Sequence, residues 1–298
     1  MDTARRQPYP SDLTDAEWAI IEPLLPPHVP AGAPRRVDLR ELINAISYVL
    51  TTGCAWKALP HDFLTPEGTV RDYFHRWRRS GLWQQIHDTL RGRVREAAGK
   101  GAQPSAGSID SQTVKATRTS GQRGYDAGKK INGVKRHILV DTLGLLLAVV
   151  VHPANIQDRD GAKLVFAKAQ LLGSWPRMER VWADGGYAGK LIRWVSSFCQ
   201  WVLEIVKRND DVKGFKLLPK RWVVERTFSW LSNCRRLSKH YEYWNETGEA
   251  MVQVRVPPRF LRKYTLSPQS NSEAHAPRMA TDSKASVDLG AVQDVLAV

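Results

Sequence analysis

The segment VWADGGYAGK, residues 181–190, places one carboxylate, that of Asp184, between an apolar strand-like run and a pair of glycines. Asp-Gly is a common turn dipeptide, because aspartate tolerates the backbone angles that a tight turn needs. A carboxylate at the end of a buried strand is also a good metal ligand, because ligands collect outside the carboxyl ends of strands in α/β sheets. The segment by itself therefore leaves two interpretations of Asp184 open, a turn residue and a metal ligand.

The sequence on either side of this segment alternates between strand and helix patterns. The strand patterns are GSID, which ends near Asp110, the hairpin KRHILVDTLGLLLAVVVHP, ERVWAD and WVLEIVKR; the helix patterns are DGAKLVFAKAQLLG, GKLIRWVSSFCQ and LPKRWVVERTFSWLSNCRRL. Such alternation is typical of a mixed β-sheet that is covered by helices. We therefore predict an α/β fold in which Asp110 and Asp184 end neighbouring strands.

A third carboxylate, that of Glu225, lies on the last of these helices, which is predicted to begin near Pro219. At 100° per residue, Glu225 falls opposite the apolar side and shares its face with Arg221 and Arg236. One interpretation is an exposed glutamate that is paired with Arg221 one turn earlier. The other is a carboxylate among guanidinium groups that hold phosphates. Three carboxylates suit two divalent ions, about 4 Å apart, that promote phosphodiester cleavage, and Mg²⁺ prefers such oxygen ligands.

The first hundred residues are predicted to be helical. Thr14 and Glu17 form a capping box, Gly53 closes a second helix, and residues 65–81 form a third helix. Three short helices with a basic third one are typical of a helix-turn-helix DNA-binding unit, and an ordinary bundle with solvated arginines is the alternative. The arginines concerned are Arg71, Arg76, Arg78 and Arg79.

The net charge of +14 is concentrated in residues 101–264, which carry 28 basic and 14 acidic side chains. An excess of this size favours a polyanionic partner, most simply double-stranded DNA. Basic side chains that track the DNA backbone would make binding strongly salt-dependent. We predict that these side chains are Lys115, Arg118, Arg123, Lys129, Lys130, Lys135, Arg136 and Arg236.

Other polar residues and the cysteines receive structural interpretations. Asp158 and Asp160 are predicted to cap the helix that starts near Gly161 rather than to bind a metal. His137 and His152 lack partners at zinc spacing and are predicted to be structural. The three cysteines are far apart and are predicted to be reduced, and no run approaches the roughly 18 apolar residues of a membrane span. We expect a cytoplasmic protein with no membrane partner.

Six stretches carry a family resemblance and follow one another in order over residues 9–250: YPSDLTDAEWAIIEPLLPP, GCAWKALPHDF, SIDSQTVKA, ANIQDRDGA, ADGGYAGK and LPKRWVVERTFSWLSNCRRLSKHYE. The chain resembles the DDE transposases of bacterial insertion sequences, whose catalytic core is RNase H-like. The resemblance implies that Asp110, Asp184 and Glu225 are the catalytic, metal-binding acids and that Arg221 is the basic partner ahead of the glutamate. It also implies cofactors, Mg²⁺ or Mn²⁺ as two ions, and a nucleoid-associated protein.

The resemblance further implies a reaction and a domain organisation. The enzyme would cleave DNA at terminal inverted repeats and join the 3′-hydroxyl ends to target DNA, as a homodimer in the DNA complex. Residues 1–100 would form a helical DNA-binding domain, residues 101–264 the RNase H-like catalytic domain with its mixed β-sheet flanked by helices, and residues 265–298 an atypical, disordered tail.

Two departures from the family pattern keep other functions open. Leu218 and Ser232 stand where related proteins often have a tyrosine and a basic residue, and Arg235 or Arg236 is an alternative for the latter. Pro257 and Pro258 are predicted to break a final apolar helix, which suggests a frameshifted or decayed C-terminus. The alternatives to a transposase are an RNase H-like nuclease without strand transfer and a catalytically decayed remnant that only binds DNA.

Overall fold

The computed structural model describes residues 6–27, 37–173, 175–206 and 220–265, and only the backbone from residue 256 onwards. Pro219, Leu218 and the tail beyond residue 265 lie outside the described residues. The described residues of the N-terminal part form four α-helices: α1 (Asp15–Ile21), α2 (Leu39–Thr52), α3 (Glu67–Arg79) and α4 (Leu82–Ala97).

The rest of the described chain forms a sheet with further helices. The strands are β1 (Ala106–Lys115), β2 (Gly124–Asp126), β3 (Ile131–Asp141), β4 (Leu146–Pro153), β5 (Arg180–Ala183) and β6 (Val202–Ile205), and the helices are α5 (Asp158–Leu172), α6 (Lys190–Cys199), α7 (Trp222–Ser232) and α8 (Asn245–Thr265). This order of strand, hairpin, helix, strand, helix, strand and helix confirms the predicted α/β fold. Among the described residues, no helix is both long and apolar enough to cross a membrane.

Local sequence signals explain the N-terminal helices. Thr14 and Glu17 form the predicted capping box of α1. Gly53 ends α2 in the left-handed conformation, with a φ of 75°, which a residue without a side chain adopts without strain. The apolar stripe of α2 is buried, including Leu42 and Ile46, which are both 0% exposed. These helices therefore form because capping and apolar periodicity agree.

The sheet is mixed, in the order β2, β3, β1, β5 and β6, with β4 also paired to β3. β1 is antiparallel to β3, and β3 is antiparallel to β4. β1 is parallel to β5, and β5 is parallel to β6. The parallel half arises because α5 and α6 each return the chain to the same end of the sheet before the next strand begins.

Two apolar cores cover the two faces of this sheet. Helices α5 and α6 pack on one face, where the core contains Ile109, Leu139 and Phe166. Helices α1–α4, α7 and α8 pack on the other face in a single core, which also contains Ile138 and Val140 of β3. The N-terminal helices therefore share their hydrophobic core with the sheet and with the last two helices.

Two predictions about the C-terminal helices are wrong. Helix α7 ends at Ser232, so the long helix that was predicted to begin near Pro219 and to continue to Leu237 stops earlier. Helix α8 runs through Pro257 and Pro258 to Thr265. Proline removes one backbone hydrogen bond, but its φ suits a helix, and the preceding turns are fixed because Ala250, Met251 and Val252 are buried.

Candidate active site

Asp110 lies in the middle of β1, so the prediction that it ends its strand is wrong. The reason is that β3 pairs with β1 as far as Lys115. On the other edge, β5 pairs with β1 only as far as Ser108, which lies opposite Trp182. Asp110 and Asp184 each lie two residues beyond this last pair, one on each side of the ladder. The charge of Asp184 contributes to raising the pKa of Asp110, so the two carboxylates are close enough to interact where the parallel ladder ends.

Asp184 does act as a turn residue. Its Oδ1 accepts a hydrogen bond of 2.7 Å from the N–H of Gly186 and begins a short 3₁₀ turn, Gly185–Tyr187. Neither glycine of this turn has a positive φ. A Cβ at residue 186 would lie only 3.0 Å from Asp184 Oδ1. Glycine at residue 186 therefore lets the backbone approach the Asp184 carboxylate closely, and it is not needed for an unusual backbone angle.

Glu225 and Arg221 complete the group of charged side chains. Arg221 Nη2 lies 3.6 Å from Asp184 Oδ2 and 3.8 Å from Glu225 Oε1. Glu225 is exposed, while Val223, Thr227 and Leu231 on the other side of α7 are buried, as the helix geometry predicts. Because one arginine contacts both carboxylates, Asp184 and Glu225 lie no further apart than those two distances combined.

The start of α7 is tied to the strand of Asp110. Ser108 Oγ donates a 2.7 Å hydrogen bond to the carbonyl oxygen of Lys220, the residue before Arg221. Lys220 has a φ of 79°, which is strained for a residue with a side chain. Its ammonium lies 5.0 Å from the ring centroid of Trp182 on β5. These contacts of Lys220 fix where Arg221 enters the site, and nothing in the sequence pattern indicated them.

The electrostatic environment of Asp110 is unfavourable to its charge. Burial, with a smaller contribution from the charge of Asp184, raises the pKa of Asp110 to about 6. The N–H of Ser111 and the charges of Arg221 and Lys129 act in the opposite direction and only partly offset these effects. A carboxylate with this environment is stabilised by any cation that binds between it and Asp184.

The carboxylate oxygens of the three acids are of the type that a hard divalent cation prefers. Asp110 and Asp184 each engage Oδ1 with a backbone N–H, at 2.7 Å in both cases, which orients the second oxygen. In the part of the chain that the structure describes, no three His, Cys, Asp or Glu side chains are close enough to hold a metal ion as they stand. Arg221 instead lies between Asp184 and Glu225.

The structure divides the predicted DNA-binding residues into two groups. Exposed or half-buried side chains are those of Arg71, Arg76, Arg78, Arg79, Lys115, Arg118, Arg123, Lys129 and Lys130. Lys135, Arg136 and Arg236 are buried. Lys135 bonds Asp158 at 2.8 Å, Arg136 donates to the carbonyl oxygens of Leu237 and Lys239, and Arg236 pairs with Glu242. These three cations serve the protein interior because each has its partners there.

The predicted capping role of Asp158 is wrong. Gln157 occupies the N-cap of α5, and Asp158 is the first helical residue. The Asp158 carboxylate instead accepts hydrogen bonds from Ser111 Oγ at 2.7 Å and Lys135 Nζ at 2.8 Å. Sequence patterns missed this role because Ser111 and Lys135 are distant along the chain and adjacent only across the sheet.

Comparisons with known proteins identify the family to which this chain is similar. Residues 101–254 match the family described as transposase DDE domain, and residues 13–87 match the family described as putative transposase of the IS4/5 family. A putative transposase for insertion sequence element IS402 of Burkholderia cepacia is 34% identical over 115 residues, which cover 37% of this chain and 54% of the relative. An uncharacterized 16.2 kDa protein of insertion element IS402 from the same organism is 31% identical over 109 residues, which cover 35% of this chain and 73% of the relative.

The first family match covers more than half of the chain and contains Asp110, Asp184 and Glu225. It agrees with the observed mixed sheet and so confirms the RNase H-like fold. Enzymes of this family act on DNA in transposition and generally use divalent metal ions. The chain therefore belongs to the insertion-sequence transposases with a DDE domain.

Proposed function

We propose that this chain cleaves DNA at the terminal inverted repeats of an insertion sequence and joins the 3′-hydroxyl ends to target DNA. The observation that supports this proposal most directly is the group of Asp110, Asp184 and Glu225, in which Asp184 acts on the charge of Asp110 and Arg221 lies within 4 Å of both Asp184 and Glu225. A phosphodiester is itself anionic, so a site for its cleavage must offset both its charge and that of the attacking oxygen.

In this proposal, Asp110, Asp184 and Glu225 hold two Mg²⁺ or Mn²⁺ ions. When bound, such ions activate the attacking oxygen and stabilise the leaving oxygen. Arg221 neutralises part of the charge of Asp184 and Glu225 and is placed to hold a phosphate oxygen. Cleavage and joining are both in-line phosphoryl transfers, so one set of positioned carboxylates serves both steps.

The DNA path proposed from the structure uses the exposed cations only. The charge of Lys129 acts to lower the pKa of Asp110, so the basic segment 115–130 has its last residues near the site. Exposed Arg71, Arg76 and Arg79 of α3 add a second basic surface, in line with a DNA-binding role for residues 1–100. Two element ends have to be paired during transposition, and we propose a homodimer in the DNA complex for this reason.

One assay separates the three candidate functions. A supercoiled plasmid that carries the DNA flanking the gene is incubated with target DNA and with Mg²⁺, Mn²⁺ or a chelator. Joined products support the transposase, nicks alone indicate a nuclease without strand transfer, and DNA binding without either indicates a remnant. Asp110→Ala and Glu225→Ala are expected to abolish both products and to leave DNA affinity intact.

Neutralising the exposed cations near Asp110 is expected to change the salt dependence of DNA binding. Lys129→Gln and Lys130→Gln together should reduce the slope of log affinity against log salt by roughly 0.9 for each phosphate that the protein no longer neutralises. Fluorescence anisotropy with a labelled duplex at several salt concentrations measures this slope. Arg193→Gln, an exposed cation on α6, is the control and should leave the slope unchanged; equal slopes for all proteins would contradict the proposed DNA path.

A divalent cation is expected to stabilise the folded protein. Ligand that binds only the native state at about 100 times its dissociation constant adds roughly 2.7 kcal/mol. Mn²⁺ should therefore raise the melting temperature of the wild type, and Asp184→Asn should remove most of that increase. Asp160→Asn removes the same charge from an exposed position on α5 and should behave as the wild type; identical Mn²⁺ responses in the two variants would argue against the metal site.

A further inference from the structure

The two aspartates of the site lie on separate pieces of backbone, and their charges repel each other. Asp110 belongs to the central strand β1, whereas Asp184 belongs to the turn that follows the short strand β5. Their charges oppose close approach, and Arg221 contacts Asp184 only at 3.6 Å. The turn therefore needs an anchor that keeps Asp184 beside β1 before any cation binds.

A buried chain of hydrogen bonds begins at this turn. The hydroxyl of Tyr187 lies 2.9 Å from His137 Nε2. His137 Nδ1 lies 3.4 Å from His152 Nε2, and His152 Nδ1 lies 3.0 Å from the carbonyl oxygen of Pro153. Tyr187, His137 and His152 are 1%, 0% and 3% exposed. The chain thus links the Asp184 turn to strands β3 and β4 without access to solvent.

The direction of every proton in this chain follows from its last member. A carbonyl oxygen only accepts, so His152 Nδ1 carries a proton and donates to Pro153. Burial lowers the pKa of both histidines, so both rings are neutral and each has one donor and one acceptor. His152 Nε2 therefore accepts from His137 Nδ1, and His137 Nε2 accepts from the Tyr187 hydroxyl. The chain fixes both histidine tautomers and requires a hydroxyl at residue 187.

The middle member of this hydrogen-bond chain, His137, lies close to Asp110 on the sheet. His137 lies opposite Ser111 in the pairing of β1 with β3. Helix α5 covers the histidines at Gly161, where a Cβ would lie 2.4 Å from His152 Nε2 and 2.7 Å from His137 Nδ1. Glycine thus allows α5 to close over the pair and to exclude water from it.

A second set of contacts holds Asp110 from the same side. The N–H of Ser111 donates to Asp110 Oδ1 at 2.7 Å, and Ser111 Oγ donates to Asp158 Oδ1 at 2.7 Å. Lys135 Nζ neutralises Asp158 at 2.8 Å and also donates to the carbonyl oxygen of Ile156 at 2.8 Å. These contacts fix Ser111 and with it Asp110. The distance between the Asp110 and Asp184 carboxylates then depends on the turn of Asp184, which Tyr187 holds.

We propose that Tyr187 is a positioning residue: its hydrogen bond to His137 holds Asp184 at the distance from Asp110 at which one divalent cation contacts both carboxylates. The inference rests on the proposed function in one respect, because a divalent cation is taken as the ligand. Tyr187 touches neither the cation nor the DNA in this proposal, and it acts through the turn that carries Asp184.

Tyr187→Phe tests the proposal because it removes only the hydroxyl. In metal-free protein, the amides of residues 181–190 should exchange with deuterium roughly fivefold faster, since one buried hydrogen bond is removed. The Mn²⁺ dissociation constant, measured by electron paramagnetic resonance, should rise on the order of tenfold. Affinity for a labelled DNA duplex in the presence of a chelator should stay unchanged.

Two further comparisons separate positioning from general stability. Tyr9→Phe removes a hydroxyl that is bonded to Asp62 at 2.9 Å in the N-terminal part of the chain, and it should leave both readouts at wild-type values. His137→Gln offers an amide oxygen to the Tyr187 hydroxyl, whereas His137→Leu does not. The Gln variant should therefore bind Mn²⁺ more tightly than the Leu variant, even where both lower the melting temperature equally.

The amide exchange and the Mn²⁺ affinity of these variants can each support or overturn the proposal. Wild-type exchange and wild-type Mn²⁺ affinity in Tyr187→Phe would overturn it, as would equal Mn²⁺ affinities in the two His137 variants. If the wild type itself binds no Mn²⁺, the metal part of the proposed function fails. In that case the exchange of residues 181–190 alone decides whether Tyr187 holds the turn.

Discussion

Asp110→Asn is expected to abolish DNA cleavage and, in metal-free protein at pH 7, to raise the free energy of unfolding by on the order of 2 kcal/mol. The ionised carboxylate is mostly buried beside Asp184, and its pKa is raised from the ordinary value of 3.8 to about 6. A tenfold change in an acid dissociation constant corresponds to about 1.4 kcal/mol between the two protonation states. Asparagine keeps the shape of the side chain and removes its charge, so the variant avoids the free-energy cost of the buried carboxylate.

The pH dependence follows from the direction in which the pKa of Asp110 moves on folding. Between about pH 4 and pH 6, the folded state binds a proton at Asp110 that the unfolded state does not bind. Stability of the wild type therefore rises as the pH falls from 7 through 6 towards 4, and it is lost again as the pH rises. The Asp110→Asn variant lacks this contribution, so the two stability curves should converge at about pH 4.

Urea unfolding of the wild type and of Asp110→Asn at pH 7, 5.5 and 4, with a chelator present, measures the difference between their free energies of unfolding. Added Mn²⁺ should narrow or reverse this difference, because the cation stabilises only the protein that has the carboxylate. An Asp110→Asn variant that is less stable than the wild type at pH 7 would contradict the described environment of Asp110. A variant that retains cleavage would contradict its proposed role.

Arg95→Met is expected to destabilise the protein by about 3–5 kcal/mol at pH 7. Arg95 of α4 pairs with Asp141 at the end of β3, and both are buried. Asp141 Oδ1 also accepts from the N–H groups of Leu143 and Leu145, each at 2.8 Å. Removing the arginine leaves a buried negative charge without its cation, which costs far more than an intact pair contributes.

The destabilisation in Arg95→Met should shrink as the pH falls. Burial raises the pKa of Asp141 even with Arg95 present, and removing the cation raises it further. A carboxyl with a raised folded pKa makes the protein more stable as it becomes protonated, so the variant should recover part of its stability near pH 5. Arg93→Met, an exposed change on the same helix, is the control and should cost under about 0.5 kcal/mol. Equal unfolding midpoints for the two variants would contradict the role of the buried pair.

Asp110→Asn removes a buried negative charge that is poorly compensated, whereas Arg95→Met removes the cation that compensates the buried charge of Asp141. Asp110 is beside another carboxylate and is poorly compensated, whereas Asp141 has a cation and two N–H donors. The comparison therefore distinguishes a buried charge that lowers the stability of the fold from a buried charge that the fold needs for stability.

The order of elements was predictable from sequence because its signals are local. The Thr14–Glu17 capping box, the end of α2 at Gly53 and the alternation of strands with helices all depend on residues close in the chain. The candidate acids were predicted because Asp184 precedes a glycine turn and Glu225 lies opposite an apolar helix face. Their use as metal ligands stays a prediction.

The misses concern contacts between distant segments. The length of β1 beyond Asp110 depends on its pairing with β3, which the four residues GSID do not reveal. The burial of Lys135 and Arg136 depends on partners at Asp158 and Leu237, and charge alone predicts exposure for such residues. The series of hydrogen bonds from Tyr187 through His137 to His152 was missed for the same reason, because its members come from two strands and a turn that are distant in sequence.

The single core shared by α1–α4, α7, α8 and one face of the sheet has an evolutionary consequence. A DNA-recognition domain that is joined to a catalytic domain only by a flexible linker can be exchanged between enzymes by recombination, since few contacts hold the two domains together. Here a new N-terminal segment would expose the apolar side of α8 and the back of β3 and β4. With α3 in its proposed DNA-binding role, a change in DNA sequence preference is therefore expected to arise through substitutions on the outer surface of α3, while the residues of the shared core stay the same.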